Sequence, residues 1–284
     1  MRCSALAEQL GEPMIGSVAH RIRWLLVEDR SAWGDKAVRD VMGAAFEASA
    51  KERGVRPLLV RRREGDPAGD VQRRVILVDT ATREAATRTI GDLATLTTEE
   101  IADAPMSGFG EPLDGPLFLV CTNGKRDACC ALRGRALMAA LGAEHAARTW
   151  ECTHLGGHRF AGNLVCLPDG IVYGRVSPAD GPRLAAAYLA GSLDPEHLRG
   201  RSAWPAPAQV AELALRRQLG LHGIGDVALS AIETSGDAAR VTLTTADATT
   251  HRFDLRSERA SPRPISCRSG ETEAPVHWRI VDRS

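Results

Sequence analysis

Apolar positions along this chain come in short blocks separated by polar, glycine- and proline-rich punctuation. The first block, Trp24-Leu25-Leu26-Val27, predicts a strand over residues 23–28. Val38, Val41, Met42, Ala45 and Phe46 recur at three- and four-residue spacing and predict a helix over residues 36–50, with Asp35 at the N-cap. Residues 57–62, 74–79 and 85–90 read as strands, the first two separated by a turn-rich stretch at 64–69. Residues 93–115 are polar and broken by glycine and proline, which places a boundary there.

Beyond that boundary the pattern predicts a strand at 116–120, a helix at 130–141 and strands at 149–153 and 163–167. Asp169-Gly170 turns the last of these into a hairpin partner at 171–176. A helix at 182–190 and a second short one near Asp194-Pro195 complete a run compatible with a thioredoxin-like α/β sandwich. After Trp204-Pro205-Ala206-Pro207 come a helix at 209–219, a strand meander at 227–233, 240–245 and 250–255, and an edge strand at 275–281. The expected organisation is an α/β N-terminal region (1–110), a thioredoxin-like domain (111–203) and a small β-rich region (204–284).

Composition narrows the function classes. Of 284 residues, 44% are hydrophobic and 25% charged, as in an ordinary globular protein. Basic and acidic side chains balance at 36 each, so no global field draws the chain to nucleic acid or an anionic membrane. Aromatics, at 4%, are too few for a stacking platform. The longest aliphatic runs fall far short of the roughly 20 residues that span a bilayer. Glu8 interrupts the start where a signal peptide needs an apolar stretch, so a cytoplasmic protein is expected. Lys36, Lys51 and Lys125 are the only lysines among many arginines, a bias that suggests a GC-rich bacterial genome.

Seven cysteines change the picture: an odd number without a secretion signal favours metal or redox chemistry over a disulfide framework. Cys121 closes a strand, and Thr122-Asn123-Gly124-Lys125-Arg126-Asp127-Ala128-Cys129 separate it from Cys130, near a helix start. Free N–H groups there, with Lys125 and Arg126, favour thiolate over thiol. Next comes His154-Leu155-Gly156-Gly157-His158. The glycine pair disfavours a helix and favours a tight loop that can bring both imidazoles to one point. Two cysteines and two histidines make a four-ligand set with two main occupants. Zinc accepts it, but structural zinc sites use cysteine spacings of two to four residues. A 2Fe–2S cluster tolerates the longer loop, and spacing leans toward it.

The string from Cys121 to Cys130, then Thr153–Asn163 and Tyr173-Gly174-Arg175-Val176, resembles the sucrase/ferredoxin-like family. The likeness extends to Cys3-Ser4 and Trp24–Glu28 and is sharpest from 117 to 177. It implies a thioredoxin-like ferredoxin whose 2Fe–2S cluster is bound by Cys121, Cys130, His154 and His158. Cys129, next to Cys130, leaves a Cys-x7-Cys alternative open.

Cys129, Cys152, Arg126, Asn163 and Arg175 are candidates for the surroundings of that cluster, although free cysteine is often simply buried. Cys166 reads as core, and Cys3 and Cys267 as surface thiols. Lys125, Arg126, Arg133 and Arg135 form a basic patch for an acidic redox partner or an anionic iron chelate. No nucleotide fingerprint accompanies the motif, so a non-enzymatic electron carrier is expected. A zinc-stabilised interaction module on the same residues and a thiol–disulfide oxidoreductase are the rivals. The family's name suggests sucrose cleavage, for which no carboxylate pair can be placed.

Overall fold

The computed structural model describes residues 2–62, 72–268 and 272–283, most of them organised around one large mixed sheet. Helix α1 (Cys3–Gln9) precedes β1 (Arg23–Glu28), whose four central residues are all buried. A run that is apolar at every position suits a strand covered on both faces. Helices α2 (Ala37–Met42) and α3 (Ala44–Glu52) follow, then β2 (Val55–Arg61), β3 (Arg73–Asp79) and β4 (Glu84–Ile90). The single helix expected at 36–50 is therefore two, because Gly43 adopts a φ of 90° that a right-handed helix excludes. Asp35 does not cap it; Lys36 occupies the N-cap without a side-chain hydrogen bond. Residues 93–115 hold two short helices, α4 (Thr98–Asp103) and α5 (Met106–Phe109), and the strand β5 (Glu111–Pro112). Ile101, Met106 and Phe109 bury themselves against Leu25, Leu77 and Ala86 of the sheet. The turn expected at 64–69 lies outside the described residues.

The chain continues through β6 (Leu117–Cys121), α6 (Ala128–His145), β7 (Thr149–Cys152), β8 (Leu164–Leu167) and β9 (Ile171–Tyr173). Helix α7 (Asp180–Leu189) and strand β10 (Leu198–Arg201) close this part. The second short helix expected near Asp194 is absent among the described residues; the segment leads instead into β10, which pairs with β9. The ten strands run in the order β10-β9-β8-β6-β7-β2-β1-β3-β4-β5. Among the described residues only β1/β2 and β6/β7 are parallel pairs.

One sheet thus takes strands from both sides of residues 93–115. The seam is β2 against β7, where Val60 faces Cys152 and Arg61 faces Glu151. Thr153 reinforces it, its N–H donating to Leu59 O at 2.9 Å and its hydroxyl accepting from Leu59 N at 3.1 Å. Leu137, Leu141, Leu184 and Tyr188 of α6 and α7 cover one face of β6, β8 and β9. Trp24, Leu119, Trp150 and Val165 share the apolar cluster on the other side, and Cys121, Cys130 and Cys152 belong to it.

A second sheet is antiparallel and consists, in spatial order, of β11 (Val227–Ser235), β12 (Ala238–Thr245), β13 (Thr250–Arg259) and the last strand, Val276–Arg283. Helix α8 (Ala206–Leu219) packs Ala208, Ala211 and Leu215 against it. On α8 the fully buried Glu212 accepts from Arg201 at 2.8 Å and Arg216 at 2.9 Å, an ion triad tying the helix to β10. After β13 the chain turns back through a two-residue strand, Arg263–Pro264, and reaches the start of α6 at Ser266 and Cys267.

Candidate metal centre

Cys121 stands at the end of β6, with its N–H donating to Asn163 O at 3.4 Å. Helix α6 begins at Ala128, two residues earlier than its apolar pattern indicates, because Asp127 caps it: its Oδ1 accepts from Cys129 N at 2.9 Å. Cys130 and Gly134 are four residues apart and share a helix face. A Cβ at Gly134 would run into the carbonyl of Cys121. Glycine there lets α6 press onto the strand end and brings Cys130 beside Cys121.

The histidine segment is a loop, as the glycine pair indicates. Gly156 and Gly157 take φ of 83° and 66°, and His158 opens a 3-10 turn through Phe160. Two arginines, the half-buried Arg56 and the buried Arg199, hold the loop's carbonyls. Arg56 donates to His154 O at 2.8 Å, and Arg199 donates to Gly156 O at 3.3 Å and to Asn163 Oδ1 at 2.7 Å. Asn163 in turn donates to Gly157 O at 3.1 Å.

Three of the four sequence-predicted residues converge: donor atoms of Cys121, Cys130 and His154 lie within 4.8 Å of one another. His154 Nδ1 is 3.9 Å from Cys130 Sγ, and its Nε2 is 3.3 Å from His158 Nδ1. The fourth residue, His158, thus reaches the set through His154. Its Nε2 is buried without a hydrogen-bond partner, 3.8 Å from Asp127 Oδ2. Two buried thiols beside the His154 nitrogen are a donor set that suits a thiolate- and imidazole-binding metal, whereas Nε2 of His158 faces Asp127.

Electrostatics divide the two thiols. The Cys130 thiol donates to Cys121 and holds its pKa well below the ordinary value against the cost of burial, helped by His154 and the backbone of Leu155. Cys130 is pushed up by that same shared proton and by burial. Burial lowers His158, and the neighbouring His154 adds to the effect. Arg199, fully buried and near Arg159 and Arg56, is lowered to about 9.

The surrounding candidates separate. Cys129 faces away from Cys130, toward Cys3 and Ala161, so only Cys130 is brought to Cys121. Cys152 is buried opposite Cys121 in the β6/β7 register, with its thiol pushed up by burial and by Cys121. Asn163 supports the histidine loop. Arg175 instead donates to Ala7 O and Glu12 O, pinning the segment after α1. Cys3, expected at the surface, is buried; Cys267 is exposed. Arg56 and Arg199 carried no sequence signal, since each sits in an unpatterned segment. Asp127 was legible as a helix-capping residue once the helix start is moved to Ala128.

Beside His154 lies a cleft of about 520 Å³, lined by Arg21, Lys36, Arg39, Asn123 and Arg126. Of the predicted basic patch only Arg126 lines it. Arg133 is engaged elsewhere, bonded to Glu8 and to Ala161 O. Lys125 and Arg135 are exposed.

The sucrase/ferredoxin-like family matches residues 14–200, more than half of the chain, and the chain belongs to that family. Two curated relatives are both named altered inheritance of mitochondria protein 32. The one from Meyerozyma guilliermondii is 32% identical over 93 residues, 29% of this chain and 33% of the relative. The one from Eremothecium gossypii is 33% identical over 106 residues, 32% of this chain and 34% of the relative. The chain spans about a third of the length of the curated relatives it matches. Both come from fungi and both names refer to mitochondria, so neither adds support for the bacterial source or cytoplasmic location expected from the sequence. No solved structure matches. Among the described residues no helix is long and apolar enough to cross a membrane.

Proposed function

We propose that this chain is a non-enzymatic one-electron carrier that binds a 2Fe–2S cluster through Cys121, Cys130, His154 and His158. The observation that carries the reading is the convergence of two buried sulfurs and an imidazole nitrogen within 4.8 Å, with a second imidazole hydrogen-bonded to the first. The order β9-β8-β6-β7, with β6 and β7 parallel and β8 and β9 antiparallel, supports the thioredoxin-like reading of this part.

Bound there, such a cluster takes up and returns a single electron. The chain's own residues set how readily. Cys121 and Cys130 hold the site in the apolar layer they share with Leu119, Trp150 and Val165, where charge is poorly screened. Two neutral imidazoles in place of two thiolates remove negative charge, so adding an electron is easier than at an all-cysteine site. The positive charges of the half-buried Arg56 and the buried Arg199 act in the same direction. His154, half-buried at the edge of the basic cleft, puts the imidazole end nearest solvent and nearest a negatively charged partner. An imidazole N–H can exchange its proton there, which couples electron uptake to pH.

The test is spectroscopic and analytical. Anaerobically purified protein should be coloured, contain two irons and two sulfides per chain (roughly, by the cluster's own stoichiometry), and bleach with dithionite. Colourless protein holding zinc on these four residues would overturn the reading in favour of the zinc module. Thiol reductase activity without iron would favour the oxidoreductase.

A further inference from the structure

Three cysteines that take no part in the site above meet on its far side. Cys3 from α1, Cys129 from the first turn of α6 and Cys267 from the segment returning from the second sheet come from three distant stretches of sequence. Their sulfurs stand 3.6 Å apart (Cys3–Cys129), 3.5 Å apart (Cys3–Cys267) and 3.3 Å apart (Cys129–Cys267). Asp127 closes the group, with Oδ1 3.8 Å and Oδ2 4.0 Å from Cys3 Sγ. All four donor atoms lie within 4.8 Å of one another.

We propose that Cys3, Cys129, Cys267 and Asp127 form a second metal site, which binds a single zinc ion and locks α1 and the segment that follows β13 onto the start of α6. This proposal stands apart from the electron-carrier reading and does not depend on it.

The sulfur triangle has the dimensions of a mononuclear site. A tetrahedral zinc with Zn–S bonds of about 2.3 Å sets its sulfurs about 3.8 Å apart. Corners of a triangle with edges of about 3.5 Å lie about 2.0 Å from its centre, so an ion about 1.1 Å off the plane meets all three at bonding distance. Spreading the edges by a few tenths of an ångström completes the fit. A polynuclear cluster would give each sulfur its own iron and push the three apart.

A disulfide accounts for the triangle less well, since it pairs two sulfurs and leaves the third buried against them. The carboxylate is also held as a ligand would be. Asp127 Oδ1 accepts a single N–H, from Cys129, and keeps a lone pair; Oδ2 is fixed by Cys267 N at 2.8 Å and Ser266 Oγ at 3.1 Å. Ser4 Oγ donates to Cys129 Sγ at 3.3 Å, the kind of outer hydrogen bond that orients a thiolate ligand. Three thiolates and a carboxylate select a borderline-soft ion such as zinc over magnesium or calcium. Binding releases the protons of whichever of the three groups are thiols to solvent, and no electron moves.

The experiment counts metals in the whole chain. Protein purified with zinc present should contain zinc that falls by one ion per chain in Cys267→Ser, while iron and sulfide stay constant. Cys267 is exposed, so iodoacetamide gives a readout on the unmodified protein: the zinc-loaded form should resist alkylation at Cys267 and become reactive once a chelator removes the ion. Unchanged zinc in Cys267→Ser overturns the proposal, as does rapid alkylation of the zinc-loaded chain. A Cys129–Cys267 or Cys3–Cys129 disulfide found by mass spectrometry of the isolated protein also overturns it. Absence of iron from the unmodified protein with this zinc retained would sink the carrier reading and leave this site standing.

Discussion

Asp127 Oδ2 lies 3.8 Å from His158 Nε2, and across that gap the cysteine–histidine site meets the cysteine triad. The same carboxylate caps α6 and holds the returning segment at Cys267. One residue thereby ties the helix start, the histidine loop and the C-terminal region together.

Replacing His158 by cysteine tests the imidazole end. His158→Cys should keep iron and sulfide while its reduction potential falls, on the order of 100 mV or more, because a thiolate adds negative charge where a neutral ring stood. The slope of potential against pH should flatten as well, which redox titration between pH 6 and 9 (roughly the range in which the imidazole proton exchanges) would measure. An unchanged potential would show that His158 is not a ligand.

The glycine pair gives a paired comparison. Gly157 has a φ of 66°, and a Cβ there would strike the Arg199 guanidinium. Gly156 has a φ of 83°, but its Cβ would meet nothing closer than Arg56 at 4.0 Å. Both substitutions to alanine carry a left-handed backbone cost of about 1–2 kcal/mol. Gly157→Ala should cost more than Gly156→Ala and should bind less iron, as read by thermal melting and metal analysis. Equal losses would count against Arg199 as the support of the loop.

Glu12 carries an acid-sensitive part of the stability. It is buried, which raises its pKa, but the hydrogen bond from Arg263 and the charge of Arg159 outweigh burial and hold the carboxyl below its ordinary value. The stability from these pairs is complete above the unfolded pKa of about 4.3, declines as the pH falls below it, and is gone under the folded value. Glu12→Gln should melt at a lower temperature than the parent at pH 6 (about two units above that pKa) and lose less on acidification to about pH 3. Parallel melting curves across that range would refute the assignment.

Glu212 should be far less replaceable than an acidic residue at the surface. Removing its carboxylate leaves Arg201 and Arg216 buried and uncompensated, so Glu212→Ala should cost about 3–5 kcal/mol in urea unfolding. Glu233→Ala, on an exposed position of β11, should stay within about 0.5 kcal/mol.

How much of this was legible depends on how local each determinant is. Most strands of the two sheets announce themselves by apolar runs and alternation, and the glycine pair between His154 and His158 rules out a helix because backbone conformation is a property of a few adjacent residues. Gly43 leaves no mark in the pattern because the apolar spacing continues across it while the helical backbone does not. Strand β10 escaped notice because Leu198-Arg199-Gly200-Arg201 places two arginines in buried positions, which hydrophobic patterning reads as surface.

The site divides in the same way. Taken alone, the sequence determined which donor chemistry exists, two thiols and two imidazoles at fixed spacings, and that each pair sits on its own loop. Only the tertiary structure brought Cys130 rather than Cys129 to Cys121, sent Cys129 to Cys3 and Cys267, and set Arg56 and Arg199 under the histidine loop. Those outcomes turn on how α6 lies against β6 and where the last connection returns, and such long-range packing leaves no trace in the spacing of neighbouring residues.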